Sequence, residues 1–266
     1  MSATAAPVTI DRGRPGVPLG RLVKVELRKM FNTRSGFWLM MSIAILATIA
    51  TVTVILVLAL AVDPDVSYQT FAGAIGTPMA VILPVIAILS VTGEWSQRTG
   101  LITFTLVPHR AQVIAAKAIA AVLVGAVSML LALAIAALGN VVGNLISGTD
   151  AVWDVGVDDI LLIVLANVLG LLIGFMLGVL IRNSAAAIVA YFVYSFVLPG
   201  LLALLANLSD WFSDIQPWVD FNYAQGQLFD PPVSAEEWAQ LVTAGIIWFV
   251  IPMAVGIRMV LRSEVK

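Results

Sequence analysis

The chain contains no cysteine, which excludes disulfides, thiolate metal sites and cysteine nucleophiles. It has a single histidine, His109, so a serine–histidine pair buried among apolar residues has no candidate base. Charge is scarce: 11% of residues are Asp, Glu, Lys or Arg, where a soluble domain carries about a quarter. No GxxxxGK phosphate loop occurs, so ATP hydrolysis by that route is excluded for this chain. Glu236-Glu237 opens like an EExxxR metalloprotease motif, but Leu241 stands at the arginine position. No GxGD pair of aspartates is present either.

What the chain has in abundance is apolar sequence: 61% hydrophobic residues and a mean hydropathy of +1.02. These values describe an all-α integral membrane protein. Residues 1–18 are polar and rich in Ala, Pro and Gly and read as a disordered tail, followed by one membrane domain over 19–266. Six apolar runs are each long enough to cross a bilayer as a helix, over about 37–62, 71–91, 113–139, 160–181, 185–208 and 238–260. Pro78 and Pro84 lie inside the second, each freeing a backbone carbonyl that a neighbouring helix or side chain must satisfy. Pro199-Gly200 interrupts the fifth, and a Gly/Asn/Asp-rich loop is expected over 140–159. Gly170, Gly174 and Gly178 form a GxxxGxxxG face on the fourth, suited to close packing within one subunit or at a dimer seam.

Charge distribution gives the orientation. All 14 Lys and Arg residues lie in the N-terminal segment, the 92–117 region, the Arg182 turn or the C-terminal tail. The other three loops hold 12 of the 16 acids and no Lys or Arg. The positive-inside rule then places both termini and the 92–117 loop in the cytoplasm, in the parity that six spans require. Before the first span, Leu19, Leu22, Val23, Leu27, Met30 and Phe31 recur at helical spacing, with Arg21, Lys24, Arg28 and Lys29 largely opposite. This pattern predicts an amphipathic helix in the membrane interface. No ionisable residue falls at mid-depth in any span, which disfavours ion coupling; uphill transport would draw its free energy from a partner.

The segment Thr92–Lys117, TGEWSQRTGLITFTLVPHRAQVIAAK, is the one connection between long apolar runs that carries both acidic and basic residues. Together with KVELRKMFNTRSGFW before the first span and DFNYAQGQL before the last, it resembles the membrane subunit of ABC-2 type exporters, the type V exporter permeases. The resemblance runs from about Leu19 to the C-terminus. It implies a transport subunit rather than an enzyme, with no cofactor of its own and ATP–Mg held by two copies of a separate ABC ATPase. It also implies a homodimer, or a heterodimer with a second permease, in the cell membrane, and no nucleic-acid partner. On that basis Glu94, Arg98 and Arg110 are expected to couple to the ATPase, and the basic helix becomes an interfacial elbow. Arg110 and Lys117 also read as plain topogenic charge, and His109 as an ordinary loop residue. The uncharged spans suit a lipophilic cargo such as a drug, antibiotic, lipid or lipid-linked glycan.

The segment 209–237 is too long for a simple turn and is aromatic. Trp211, Trp218, Phe221 and Tyr223 are candidates for an outer gate, on short re-entrant helices that Pro217 would break and Pro231-Pro232 would end. An aromatic belt anchoring helix ends is the alternative. A membrane scaffold, or an intramembrane enzyme without a recognised motif, is the competing function class. Neither requires an ATPase partner.

Overall fold

The computed structural model describes residues 17–32, 34–60, 67–96 and 110–262. Among them, nine helices follow one another: α1 (Leu19–Asn32), α2 (Arg34–Leu60), α3 (Tyr68–Ser96), α4 (Arg110–Ser147), α5 (Val157–Ile181), α6 (Ser184–Leu208), α7 (Asp210–Val219), α8 (Phe221–Gly226) and α9 (Ala235–Arg262). Six of these are long and apolar enough to cross a membrane. The described residues contain no strand, only an isolated bridge between Ser67 and Val152. Helices α3, α4 and α5 form the centre, with Phe71, Ile75, Met79 and Leu83 of α3 buried against Met129 and Leu133 of α4 and Leu171 and Phe175 of α5. Helix α6 and much of α2 and α9 carry mostly exposed apolar side chains on the outside of the bundle.

Three helices differ from their sequence expectations. Helix α4 does not end at Gly139 but runs on through Ser147, making 38 residues and a length of about 57 Å. Its polar extension persists because Asn144 donates to the carbonyl and side chain of Asn140, while Asn140 donates to the Val152 carbonyl. The loop after it clamps the start of α3: Tyr68 N–H reaches Val152 O at 3.0 Å, and Asp154 accepts from Gln69 N–H at 3.0 Å. Pro199 does not interrupt α6. It follows a π-helical turn, Val193–Val197, in which the wider spacing accommodates the missing N–H and the ring. Pro252 in α9 sits in the same relation to a second π turn, Ile246–Val250. The two wide turns meet through the rings of Tyr194 and Trp248, 5.5 Å apart. Finally, α7 continues past Pro217 to Val219 and breaks at Asp220, whose carboxylate caps α8 by accepting from Asn222 and Tyr223 N–H.

Of the two α3 prolines, Pro84 is handled by a neighbour. Pro84 cannot donate to the carbonyl of Ala80, and the Tyr191 hydroxyl of α6 donates to that carbonyl at 2.7 Å. Removing the hydroxyl leaves that carbonyl without its side-chain donor, a loss of about 1 kcal/mol. Tyr191→Phe is therefore expected to lower the thermal unfolding midpoint of the purified protein, while Tyr223→Phe, at an exposed position, leaves it unchanged.

Candidate functional site

At the end of the bundle where α3 finishes and α4 begins, four charged side chains close into a square. Helix α1 supplies two of them. Leu22, Val23, Leu27 and Met30 turn partly inward, but the buried centre of that face is an acid, Glu26. Its spacing of four from Leu22 and from Met30, and three from Val23, puts it on the apolar face, a signal already in the sequence. Lys29 lies one turn on. Glu94 comes from the last turn of α3 and Lys117 from the third turn of α4.

The ammonium of Lys117 lies 2.6 Å from Glu26 Oε2 and 3.1 Å from Glu94 Oε1, and donates to the Ser90 carbonyl at 3.3 Å. Its three donors thus have three acceptors. Lys29 Nζ bridges the same acids, 2.7 Å from Glu26 Oε1 and 3.3 Å from Glu94 Oε1. The charges alternate and sum to zero. Lys117 and Glu94 side chains are only 6% and 8% exposed, whereas Lys29 stays about half in solvent. Burial works to raise the Glu26 carboxyl, but Lys117, then Lys29, outweigh it and hold it below its ordinary value of 4.5. Burial likewise works to lower the Lys29 ammonium, and Glu26 and Glu94 outweigh it, so it is raised.

Sequence reasoning treated Lys117 as topogenic charge; the structure places it at the centre of this square. Glu94 belongs to the same square. Arg98 and His109 lie outside the described residues. Arg110 is apart from the cluster, and its guanidinium donates to the Val260 carbonyl in the last turn of α9 at 3.0 Å. Arg21, Lys24 and Arg28 are exposed on the outer face of α1. Nearby, the hydroxyls of Thr92 and Ser184 meet at 2.7 Å and tie α3 to the start of α6.

At the opposite end, α3, α5, α6 and α8 enclose a cleft of about 1210 Å³. Helix α8 reaches well down the bundle: Gln225 donates to the Ala166 carbonyl at 2.8 Å, about 13 Å along α5 from its start. The four aromatic residues expected to gate this end do not form one surface. Trp211 and Tyr223 are exposed, Trp218 is half-buried, and Phe221 is buried beside Gly245. Gly174 and Gly178 face α3 within the subunit, next to Pro84 and Ile88, while Gly170 faces Gln225.

A family model described as ABC-2 family transporter protein matches residues 22–198. The chain belongs to this ABC-2 family. The match takes in all four residues of the charged square and ends inside α6, so α7 to α9 lie beyond it. No curated protein matches the chain. Membership, with six membrane-length helices, makes this a multi-pass ABC-2 transport permease.

Proposed function

We propose that this ABC-2 permease is the membrane half of an ATP-driven exporter. It pairs with two copies of a separate cytosolic ABC ATPase, which carries ATP–Mg, and assembles as a two-fold dimer in the cell membrane with the basic end facing the cytoplasm. Closed two-fold symmetry is the economical assembly for such halves, and the Lys/Arg distribution supports the orientation. Cargo moves outward when the ATPases close on nucleotide. The observation that carries the reading is the square of Glu26, Lys29, Glu94 and Lys117. It locks the amphipathic helix α1 to α3 and α4, the helices on either side of residues 97–109. A push delivered to that connection or to α1 therefore moves α1, α3 and α4 as one body. A solvated loop carboxylate at position 94 could not transmit such a push.

Glu94→Gln keeps the shape and one acceptor but removes the charge. In the reconstituted complex, substrate-stimulated ATP hydrolysis is expected to fall about tenfold, within the usual range of inter-site coupling, with the permease still inserted and folded. Full stimulated hydrolysis in a correctly inserted Glu94→Gln complex would remove the coupling role. Failure of the wild-type chain to co-purify with any ATPase would favour the scaffold reading.

A further inference from the structure

The cleft at the acidic end has a charge and polarity pattern that the transport reading does not by itself explain. Its mouth is lined by Asp154, Asp158, Asp159 and Asp230, and among the described residues no Lys, Arg or His lines it. None of the three loops at that end contains a Lys or Arg. Two of the carboxylates are oriented by the fold: Asp159 accepts from Gly156 N–H at 2.7 Å, and Asp154 accepts from Gln69 N–H at 3.0 Å and from the Ser67 side chain. The charge is spread rather than gathered, since the described residues contain no group of three or more acids or histidines arranged to hold a metal ion. A diffuse anionic rim suits an organic cation better than a dehydrated metal.

The floor supplies an independent observation. Asn167 is 4% exposed and Tyr194 is 9% exposed, both line the cleft, and Asn167 Oδ1 and the Tyr194 hydroxyl have no hydrogen-bond partner among the described residues. The amide orientation of Asn167 is fixed, because its nitrogen must face the Ile163 carbonyl to which it donates at 2.9 Å. A bare acceptor therefore remains. Native folds rarely leave such atoms unmet, and those that persist call for a ligand or water. Asp159, Ile163, Asn167 and Gly170 succeed one another at helical spacing along the α5 wall, so rim and floor are about 12 Å apart. Between them the α5 wall presents Leu162 and Ile163, and Phe229 and Trp238 also line the cleft, where an aromatic face adds attraction for a cation.

We infer that the cleft binds an elongated amphiphilic amine, its ammonium at the aspartate rim and a hydrogen-bond donor near the floor against Asn167 Oδ1 and the Tyr194 hydroxyl. It takes from the proposed function only the statement that this occupant is cargo. Three dansyl compounds with matched spacers separate the terms: dansylcadaverine with a free ammonium, its N-acetylated neutral form, and a dansyl-aminohexanoate carrying a carboxylate. Binding is read by fluorescence with the full chain in zwitterionic phosphatidylcholine nanodiscs, without ATPase or nucleotide. Saturable binding of the ammonium compound is expected, at least about tenfold tighter than the neutral one, with none for the carboxylate. Asp158→Asn with Asp230→Asn, both at solvent-facing positions, should erase the preference for the ammonium, and Asn167→Leu should weaken all binding. Equal binding of the three compounds by the wild-type chain, or no saturable binding of the ammonium compound, overturns the inference. Neither result touches the coupling reading, which Glu94→Gln tests separately; loss of coupling with the ammonium preference intact would leave the cleft as a binding site without a transport role.

Discussion

Lys117→Met is expected to destabilise the folded permease by about 3–5 kcal/mol, because it leaves two buried carboxylates facing one half-exposed ammonium. Methionine fills nearly the same volume, so packing is preserved and the loss reports charge. Denaturant unfolding of the purified protein in detergent measures it. A double variant, Lys117→Met with Glu26→Gln, removes one charge of each sign and should recover most of the loss, a non-additivity that an unconnected pair would not show. A single-variant cost under about 1 kcal/mol, the scale of an exposed pair, would mean the square is not a buried unit. The pH dependence has a definite sign. Glu26 is held below 4.5, so its contribution is complete above that value and is lost as pH falls through its lower folded value. Lys29 is held above 10.5, so its contribution is complete below that value and is lost as pH rises through its higher folded value. The contribution of these two groups should be level between those limits.

Gly174→Leu is the second large effect. A Cβ at this position would stand 2.7 Å from both the Cβ and the carbonyl oxygen of Pro84, so α3 and α5 must move apart to admit any side chain. Overpacking of this kind costs about 1–3 kcal/mol, and more where the obstacle is backbone, as it is here. The same displacement would carry the Ala80 carbonyl away from Tyr191, adding the loss of that hydrogen bond. Gly200→Ala is the matched control: nothing lies within 4 Å of a Cβ there, and in a helix alanine is favoured over glycine. A Gly174→Leu protein as stable as Gly200→Ala would contradict the close approach of α3 and α5.

The apolar helices were legible because nothing but a long apolar helix satisfies its own backbone in hydrocarbon, so length and composition suffice. The need for a donor at the α3 prolines was legible for the same reason, though not that Tyr191 would meet it. The extent of α4 was not, because Gly139, Asn140, Gly143 and Asn144 read as loop until the Asn144–Asn140 and Asn140–Val152 contacts hold them in a helix. Lys117 was misread because a lysine at the start of a span has a ready topological explanation, and its partner Glu26 is 91 residues away. The helical spacing of Glu26 within the apolar face of α1 was the missed clue. The cleft could not be foreseen from any single helix, since Asn167 and Tyr194 meet there only once α5 and α6 are packed.

Helix α4, at about 57 Å, is nearly twice as long as a typical hydrocarbon core of ~30 Å and exceeds the ~40–45 Å of a whole bilayer. Its far end is still greasy on the outside, with Val141, Val142, Leu145 and Ile146 exposed. Keeping those side chains out of water requires the rod to lean or the lipid to thicken around it. Both responses depend on acyl-chain length. Because the same rod carries Lys117 near one tip and the Asn140–Asn144 clamp near the other, leaning it further in thin lipid would swing the two tips in opposite lateral directions. With that geometry, a change in membrane thickness would act on both ends of the permease at once.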